Sequence, residues 1–381
     1  MPAIVRALAV IAAAMLLAGT ASAAPATSAM NGVWAGTVGK QQVRACFTKR
    51  GDELAFGAFY QMAKPVPAEL GYRETSATWG EGYDRNGATW TIGMHGHDRI
   101  AGSWRKGAHE QPIALARVPL ARGDDADSPC GSHAFMAPRL KPVRLHRRPQ
   151  TIPGLGYSLV TYDVGPAFPS VWITGFVLAG KGAAAKAINA AVRLDPMKAG
   201  GEADFSGCMS QSLANVGTDG DFNFSYLPER VSGGLLSVIG TTAYSCGGIH
   251  PDAFSFHRLF DLRTGREVRA RVWFNARGVK PGQAETADRS LELASALRNA
   301  VVAHARKLSE DCAVPVATAS WWDVGLARGG LLFTPTLPHA VSACGDPITV
   351  PARALAPFLS VEGKAAMARI APPARHRKRR R

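Results

Sequence analysis

Several motifs that would name a chemistry at once are missing from this sequence. It has no Gly-x-Ser-x-Gly elbow and no Ser-x-x-Lys set with its partner motifs, so serine acyl transfer finds no support. It has no Gly-rich phosphate loop and no His-Glu-x-x-His, which argues against P-loop nucleotide chemistry and zinc proteolysis. No Cys-x-x-Cys occurs, and no histidine sits at ligand spacing beside a cysteine, so a thiolate metal centre is not expected. After the N-terminal segment no apolar run reaches the about 20 residues that a bilayer span needs. Negative charge is scarce, with 29 Asp and Glu against 44 Lys and Arg and a net charge of +15. That balance favours anionic partners such as phosphorylated glycans, lipid headgroups or nucleic acid, or simply serves solubility. No cofactor is implied by any pattern.

What the chain does have begins with an export signal. Arg6 precedes an apolar run over residues 8–19, and Ala21-Ser22-Ala23 supplies the small-x-small site that signal peptidase reads. Cleavage is expected near Ala23, giving a periplasmic or secreted protein without a transmembrane span. Six cysteines fit an oxidising compartment, although six allow 15 connectivities. Their positions suggest local pairs, Cys46–Cys130, Cys208–Cys246 and Cys312–Cys344. Processing removes only Arg6 from the cations. With the six of the extreme C-terminus set aside, the body still carries +8.

Residues 24–120 read as an antiparallel β domain. Short runs such as Val43-Arg44-Ala45-Cys46-Phe47 and Thr89-Trp90-Thr91-Ile92 alternate with period 2, and Asn86-Gly87 is a hairpin signal. Trp34, Trp79, Trp90 and Trp104 recur beside glycines. They fit the core of a small barrel or curled sheet better than a glycan-stacking platform, because large aromatics are usually buried. Residues 121–150 read as a linker, in which Asp124, Asp125 and Asp127 give way to Arg139, Lys141, Arg144, Arg147 and Arg148 among prolines that oppose helix and central strand.

Residues 151–362 read as an α+β domain with a mostly antiparallel sheet and two helices. One helix is expected over residues 180–194. A second, amphipathic one is expected from Leu291, Ala294, Leu297, Val301, Ala305 and Leu308. A short final helix is placed at residues 352–359. Residues 363–381 form a tail whose basic end has nothing apolar to bury.

A family resemblance enters in this second domain. Tyr244-Ser245-Cys246-Gly247-Gly248-Ile249-His250-Pro251, followed by Phe260-Asp261-Leu262-Arg263-Thr264-Gly265, resembles the signature of the C-terminal module of RsiV-like proteins. Leu331-Leu332-Phe333-Thr334-Pro335 and Ile348-Thr349-Val350-Pro351 resemble its closing segment. The likeness covers about residues 150–360. The family includes lysozyme-sensing anti-sigma factors and the region ahead of the catalytic domain in PdaC-type peptidoglycan deacetylases. The resemblance implies an envelope module that binds rather than catalyses. Lysozymes are cationic, so a basic chain meets them at an electrostatic penalty.

Tyr244, His250, Asp252 and His257 form the densest candidate ligand-binding group, although His250 could instead brace a tight Gly247-Gly248 turn. His95-Gly96-His97-Asp98 has the look of a copper or zinc triplet, with a hairpin turn as the simpler reading. Glu81, Asp84, Asp221 and Glu229 are available for paired-carboxylate chemistry, whose spacing is spatial. Arg375, Arg377, Lys378, Arg379, Arg380 and Arg381 are placed to contact anionic envelope polymers. The expected function is an envelope binding protein for cell-wall glycan or a wall-acting protein, with nucleic acid excluded by export. An inhibitor of lysozyme-like hydrolases and a carbohydrate-active enzyme are the alternatives.

Overall fold

The computed structural model describes residues 28–50, 53–82, 87–280, 290–305 and 308–371. The export signal, Asp84, Asn86 and the basic terminus from Arg375 lie outside these residues.

Eight strands close into an antiparallel barrel: β1 Gly32–Val38, β2 Gln41–Arg50, β3 Glu53–Gln61, β4 Lys64–Arg73, β5 Thr78–Glu81, β6 Thr89–His95, β7 Arg99–Lys106 and β8 His109–Val118. Alternation sends every second side chain inward. Trp34, Trp79 and Trp90 are fully buried there, with Phe47 and Phe59 packed on Trp79 and Trp90 at 4.7 and 4.9 Å between ring centres. The polar edges of two indoles are satisfied together, since Trp90 and Trp104 both donate to Glu81 Oε1, at 2.9 and 2.7 Å. The tryptophans are therefore core, and Glu81 is occupied in holding them. His95 and Arg99 close the β6–β7 hairpin around Gly96, whose φ is 72°.

The segment expected as a linker is packed against both of its neighbours. Cys130, Ala134, Phe135 and Met136 are buried, the last three in the short helix α1 (His133–Met136), and they join the outer barrel residues Val33, Cys46 and Tyr60 in one core with the next domain. Arg139 is wholly buried. It donates to Pro65 O and Ala167 O, each at 2.9 Å, and pairs through both terminal nitrogens with Asp219. Dense proline limits helix here to the single turn α1 and does not prevent burial, which composition alone cannot report. Residues 144–150 of the expected linker lie in strand β9 (Arg144–Ile152). Pro149 is tolerated because β9 is the sheet's outer strand, where one side of the backbone needs no partner.

Six more strands complete that sheet: β10 Leu155–Asp163, β11 Val171–Leu178, β12 Asp221–Ser232, β13 Leu235–Ser245, β14 Asp252–Asp261 and β15 Glu267–Val268. Their order is β15-β14-β13-β12-β11-β10-β9, and among these neighbours only β11 and β12 run parallel. The crossover between those two carries α2 (Ala183–Ala191) and α3 (Phe205–Val216). A second sheet, ordered β16-β17-β18-β19, is built from Leu291–Glu292, Trp321–Ala327, Gly330–Thr336 and Ile348–Pro351. Around it lie α4 (Ser295–Val302), α5 (Glu310–Thr318), α6 (Ala352–Leu355) and α7 (Val361–Ile370).

The α+β class and mostly antiparallel pairing agree with the sequence reading, but the helices differ. α3 and α5 are additional. The amphipathic run starting at Leu291 is helical only over Ser295–Val302, because Leu291 and Glu292 pair with Trp322 and Trp321. Helical periodicity there yields to the buried place that Leu291 takes in extended form. α7 occupies part of the expected tail and buries Ala366, Met367 and Ile370.

All three expected disulfides form, with Cα–Cα distances of 5.1, 4.8 and 5.2 Å for Cys46–Cys130, Cys208–Cys246 and Cys312–Cys344. Among the described residues no helix is long and apolar enough to cross a membrane. The third disulfide ties α5 to the 3-10 turn His339–Cys344. Replacing both Cys312 and Cys344 by Ser is expected to lower stability by about 3–4 kcal/mol, from the chain entropy of the loop it closes. Urea unfolding of the oxidised parent and the double variant measures this, and equal midpoints would show that the turn is held by packing alone.

Candidate functional site

The two sheets of the α+β domain meet at one end and splay at the other. Strand alternation gives β14 a face carrying Ala253, Ser255, His257 and Leu259. β17 crosses this face, and Gly325 is needed where it does. A Cβ at Gly325 would stand 2.7 Å from the His257 ring. Where the sheets part, a cleft of about 610 Å³ opens between Thr241 and Ser255 on one side and Ser290, Thr334 and Thr336 on the other. An adjoining cavity of about 440 Å³ shares Asn223, Ala243, Asp252, Ala253 and Ser342 with it and reaches Trp172. Trp172 is 65% exposed although it stands in the otherwise apolar run Val171-Trp172-Ile173. It also borders a third hollow of about 540 Å³, beside Thr161, Asp163 and Arg144.

Of the four expected ligand-binding residues, Asp252 lines both hollows, Tyr244 lines the Trp172 cavity, and His250 stacks on His339 at its edge. Tyr244 and Asp252 are cross-strand partners, and the Tyr244 hydroxyl donates to Asp252 Oδ2 at 3.4 Å. Partial burial, then the Asp252 carboxylate, raise the pKa of that hydroxyl, so it remains a donor. His250 lies in the loop ahead of β14, its ring stacked on His339 at 5.6 Å and 18°. His339 lines the Trp172 cavity, so this contact joins the Gly-Gly-x-His-Pro loop to the cleft's far wall.

His257 is the exception. It is 4% exposed, sealed between the sheets at the closed end of the cleft, and does not face a ligand. The backbone N–H of His257 donates to Asp323 Oδ1 at 2.9 Å, and its Nδ1 bonds to Asp323 Oδ2. Nε2 lies 3.1 Å from Glu229 Oε2, within ion-pair range but off the hydrogen-bond direction. Ser237 donates to the same Glu229 oxygen at 3.1 Å. Glu229 sits at a register shift between Pro228 and Arg230, a β-bulge that re-aims its side chain. Burial by itself would push the imidazole down, but Asp323 and Glu229 together lift it to about 9. Burial also pushes the Glu229 carboxyl up, and the contacts with His257 and Ser237 hold it below its ordinary value. An imidazolium thus lies between two carboxylates. Nδ1 is held by Asp323, Nε2 faces Glu229 at ion-pair distance without a hydrogen bond, and the nearby serine is committed to Glu229, so the group pins the sheets together.

Thr334 is the cross-strand partner of Asp323. Among the described residues its buried hydroxyl has no hydrogen-bond partner, and Thr334 lines the cleft. The sequence reading missed Thr334, Asp323, Trp172 and Asn223. A lone Asp inside Trp321-Trp322-Asp323-Val324 and a Trp within a buried strand are signals that could have drawn attention to two of them. Asp221 borders the Trp172 cavity, whereas Glu81 and Glu229 are committed elsewhere.

Neither a scan of family models nor a search of curated proteins gives a match. Among solved structures, the chain is similar to a DUF3298 family protein from Pseudomonas aeruginosa at 14% identity and a TM-score of 0.35, covering 58% of this chain and 97% of that one. A DUF3298 family member from Bacteroides fragilis aligns at 13% identity and a TM-score of 0.33, covering 60% and 97%. Both of these structural neighbours are DUF3298 family proteins, and the RsiV-like likeness of this chain rests on the sequence motifs alone.

Proposed function

We propose that this chain is an exported binding module of the cell envelope and that its cleft takes a cell-wall glycan. The observation that carries this reading is Trp172, an indole left largely in solvent at the mouth of a cleft lined by hydroxyl, amide and carboxylate groups. Sugars present apolar C–H faces ringed by hydroxyls. A flat aromatic beside Asn223, Asp252 and Thr241 matches both surfaces. The three disulfides fit an oxidising compartment.

Co-sedimentation of the oxidised protein with purified sacculi at about 0.15 M salt, where long-range attraction is screened, tests the proposal. The parent is expected in the pellet. Trp172→Ala is expected to weaken retention about tenfold, the loss of one stacking contact. The side chain is exposed, so the fold should survive, as far-UV circular dichroism will show. Equal pelleting of parent and variant, or none by the parent, would sink wall binding through this cleft.

A further inference from the structure

One face of the seven-stranded sheet carries more order than a cleft requires, although β17 crosses part of it at His257 and Ser225 is itself buried. Cross-strand register places His146 opposite Thr161, Thr161 opposite Thr174, Thr174 opposite Ser225, Ser225 opposite Thr241 and Thr241 opposite Ser255. Directly paired residues share a face, so one polar row runs perpendicular to six consecutive strands. The 2.6 Å contact between Ser225 Oγ and Thr241 Oγ1 confirms that neighbours in the row meet. With strands about 4.8 Å apart, the row is about 24 Å long. Trp172 stands beside it on the same face, with Asn223 opposite on the next strand. At one end, beyond Ser255, is the buried hydroxyl of Thr334, without a partner among the described residues.

The other end is basic. On β9, Arg144, His146 and Arg148 alternate onto this same face and are exposed. Asp163 is shared between Arg144, at 2.7 Å, and His146, at 3.7 Å, while Arg148 has the neutral amide of Gln150 beside it. Two guanidinium groups and an imidazole thus face one carboxylate. The face thus offers accessible hydroxyls at Thr161, Thr174, Thr241 and Ser255 on either side of the buried Ser225, one stacking platform and a positive terminus.

We propose that the ligand is an extended anionic glycan strand, lying across the β-strands along the hydroxyl row. One sugar ring stacks on Trp172, and an acidic substituent sits over Arg144 and Arg148. This rests on the glycan reading above and adds the length, direction and charge of the ligand. A mono- or disaccharide fills only part of the row, and a neutral chain leaves the basic terminus unmatched.

The test is equilibrium binding of the full exported protein to four probes. Amidase-released wall glycan strands carry a lactyl carboxylate, a phosphomannan oligomer carries phosphate, and chitohexaose and chitobiose carry neither. The acidic strands are expected to bind at least about tenfold more tightly than chitohexaose, and chitobiose more weakly than both. The double variant Arg144→Gln/Arg148→Gln is expected to bind the acidic strands about tenfold more weakly than the parent does. Thr174→Val/Thr241→Val should weaken all the long probes alike. The terminal basic cluster attracts the acidic probes in parent and variant alike, so the difference between parent and Arg144→Gln/Arg148→Gln is what reads the basic terminus of the sheet. Which acidic probe binds more tightly identifies the acid as carboxylate or phosphate. Equal binding of acidic strands and chitohexaose, lost with Trp172→Ala, would overturn this inference and leave the glycan reading standing. Binding of none of the probes would overturn both.

Discussion

Asp323→Ala is expected to destabilise the protein by about 3–5 kcal/mol and to change how its stability depends on pH. The substitution removes the carboxylate that accepts from both the backbone N–H and Nδ1 of His257, leaving that nitrogen buried without its partner. The parent supplies the sign. The His257 pKa rises from an ordinary 6.5 to about 9 in the folded protein. A raised folded pKa means that protonation favours the folded state. The contribution is complete below about pH 6.5 and is lost as pH climbs through 9, amounting to roughly 3 kcal/mol. Urea midpoints of parent and Asp323→Ala at pH 6 and pH 9.5 measure it. The gap between the two proteins should be widest at pH 6 and narrow at pH 9.5. A gap independent of pH would show that the imidazole is neutral throughout.

The second large effect is expected at Arg139. Arg139→Met keeps most of the volume but leaves Asp219 facing the interior alone. Burial already raises the pKa of that carboxyl, and Arg139 is what draws it back. Breaking a buried pair from one side costs about 3–5 kcal/mol, whereas replacing both members with apolar residues is often close to neutral. Arg139→Met/Asp219→Leu is therefore expected to recover most of the loss, as equilibrium unfolding will register. Arg139 also bonds to Pro65 of the barrel and Ala167 of the second domain, so the single variant should loosen the joint between them. Limited proteolysis should then cut within residues 120–143 faster than in the parent. An unchanged cleavage rate would mean that Phe135, Met136 and the Cys46–Cys130 bond hold the joint without it.

The cleft itself was half legible. The Gly-Gly-x-His-Pro motif drew attention to Tyr244, His250 and Asp252, which do line or border it. It misled at His257 because a histidine in an alternating strand reads the same whether its face meets solvent or another sheet. The alternation along β14 was plain. The identity of the layer covering it was not, since β17 arrives about sixty residues later in the chain. Likewise Thr161, Thr174, Ser225, Thr241 and Ser255 are ordinary strand residues one at a time. Their alignment depends on the register of four separate pairings, one of them a parallel crossover.

The sequence by itself determined the class of each part: an antiparallel β domain stocked with tryptophans and an α+β domain after it, with local cysteine pairs suggested and the closed barrel left to the structure. These are local properties, carried by period-2 alternation and turn residues. Tertiary structure alone decided that the proline-rich stretch is a buried joint, that Leu291 is strand and not helix, and that His257 is sealed while Trp172 is bare. Burial and register are set by contacts between residues far apart in the chain, and no local pattern encodes which distant face will cover a given side chain.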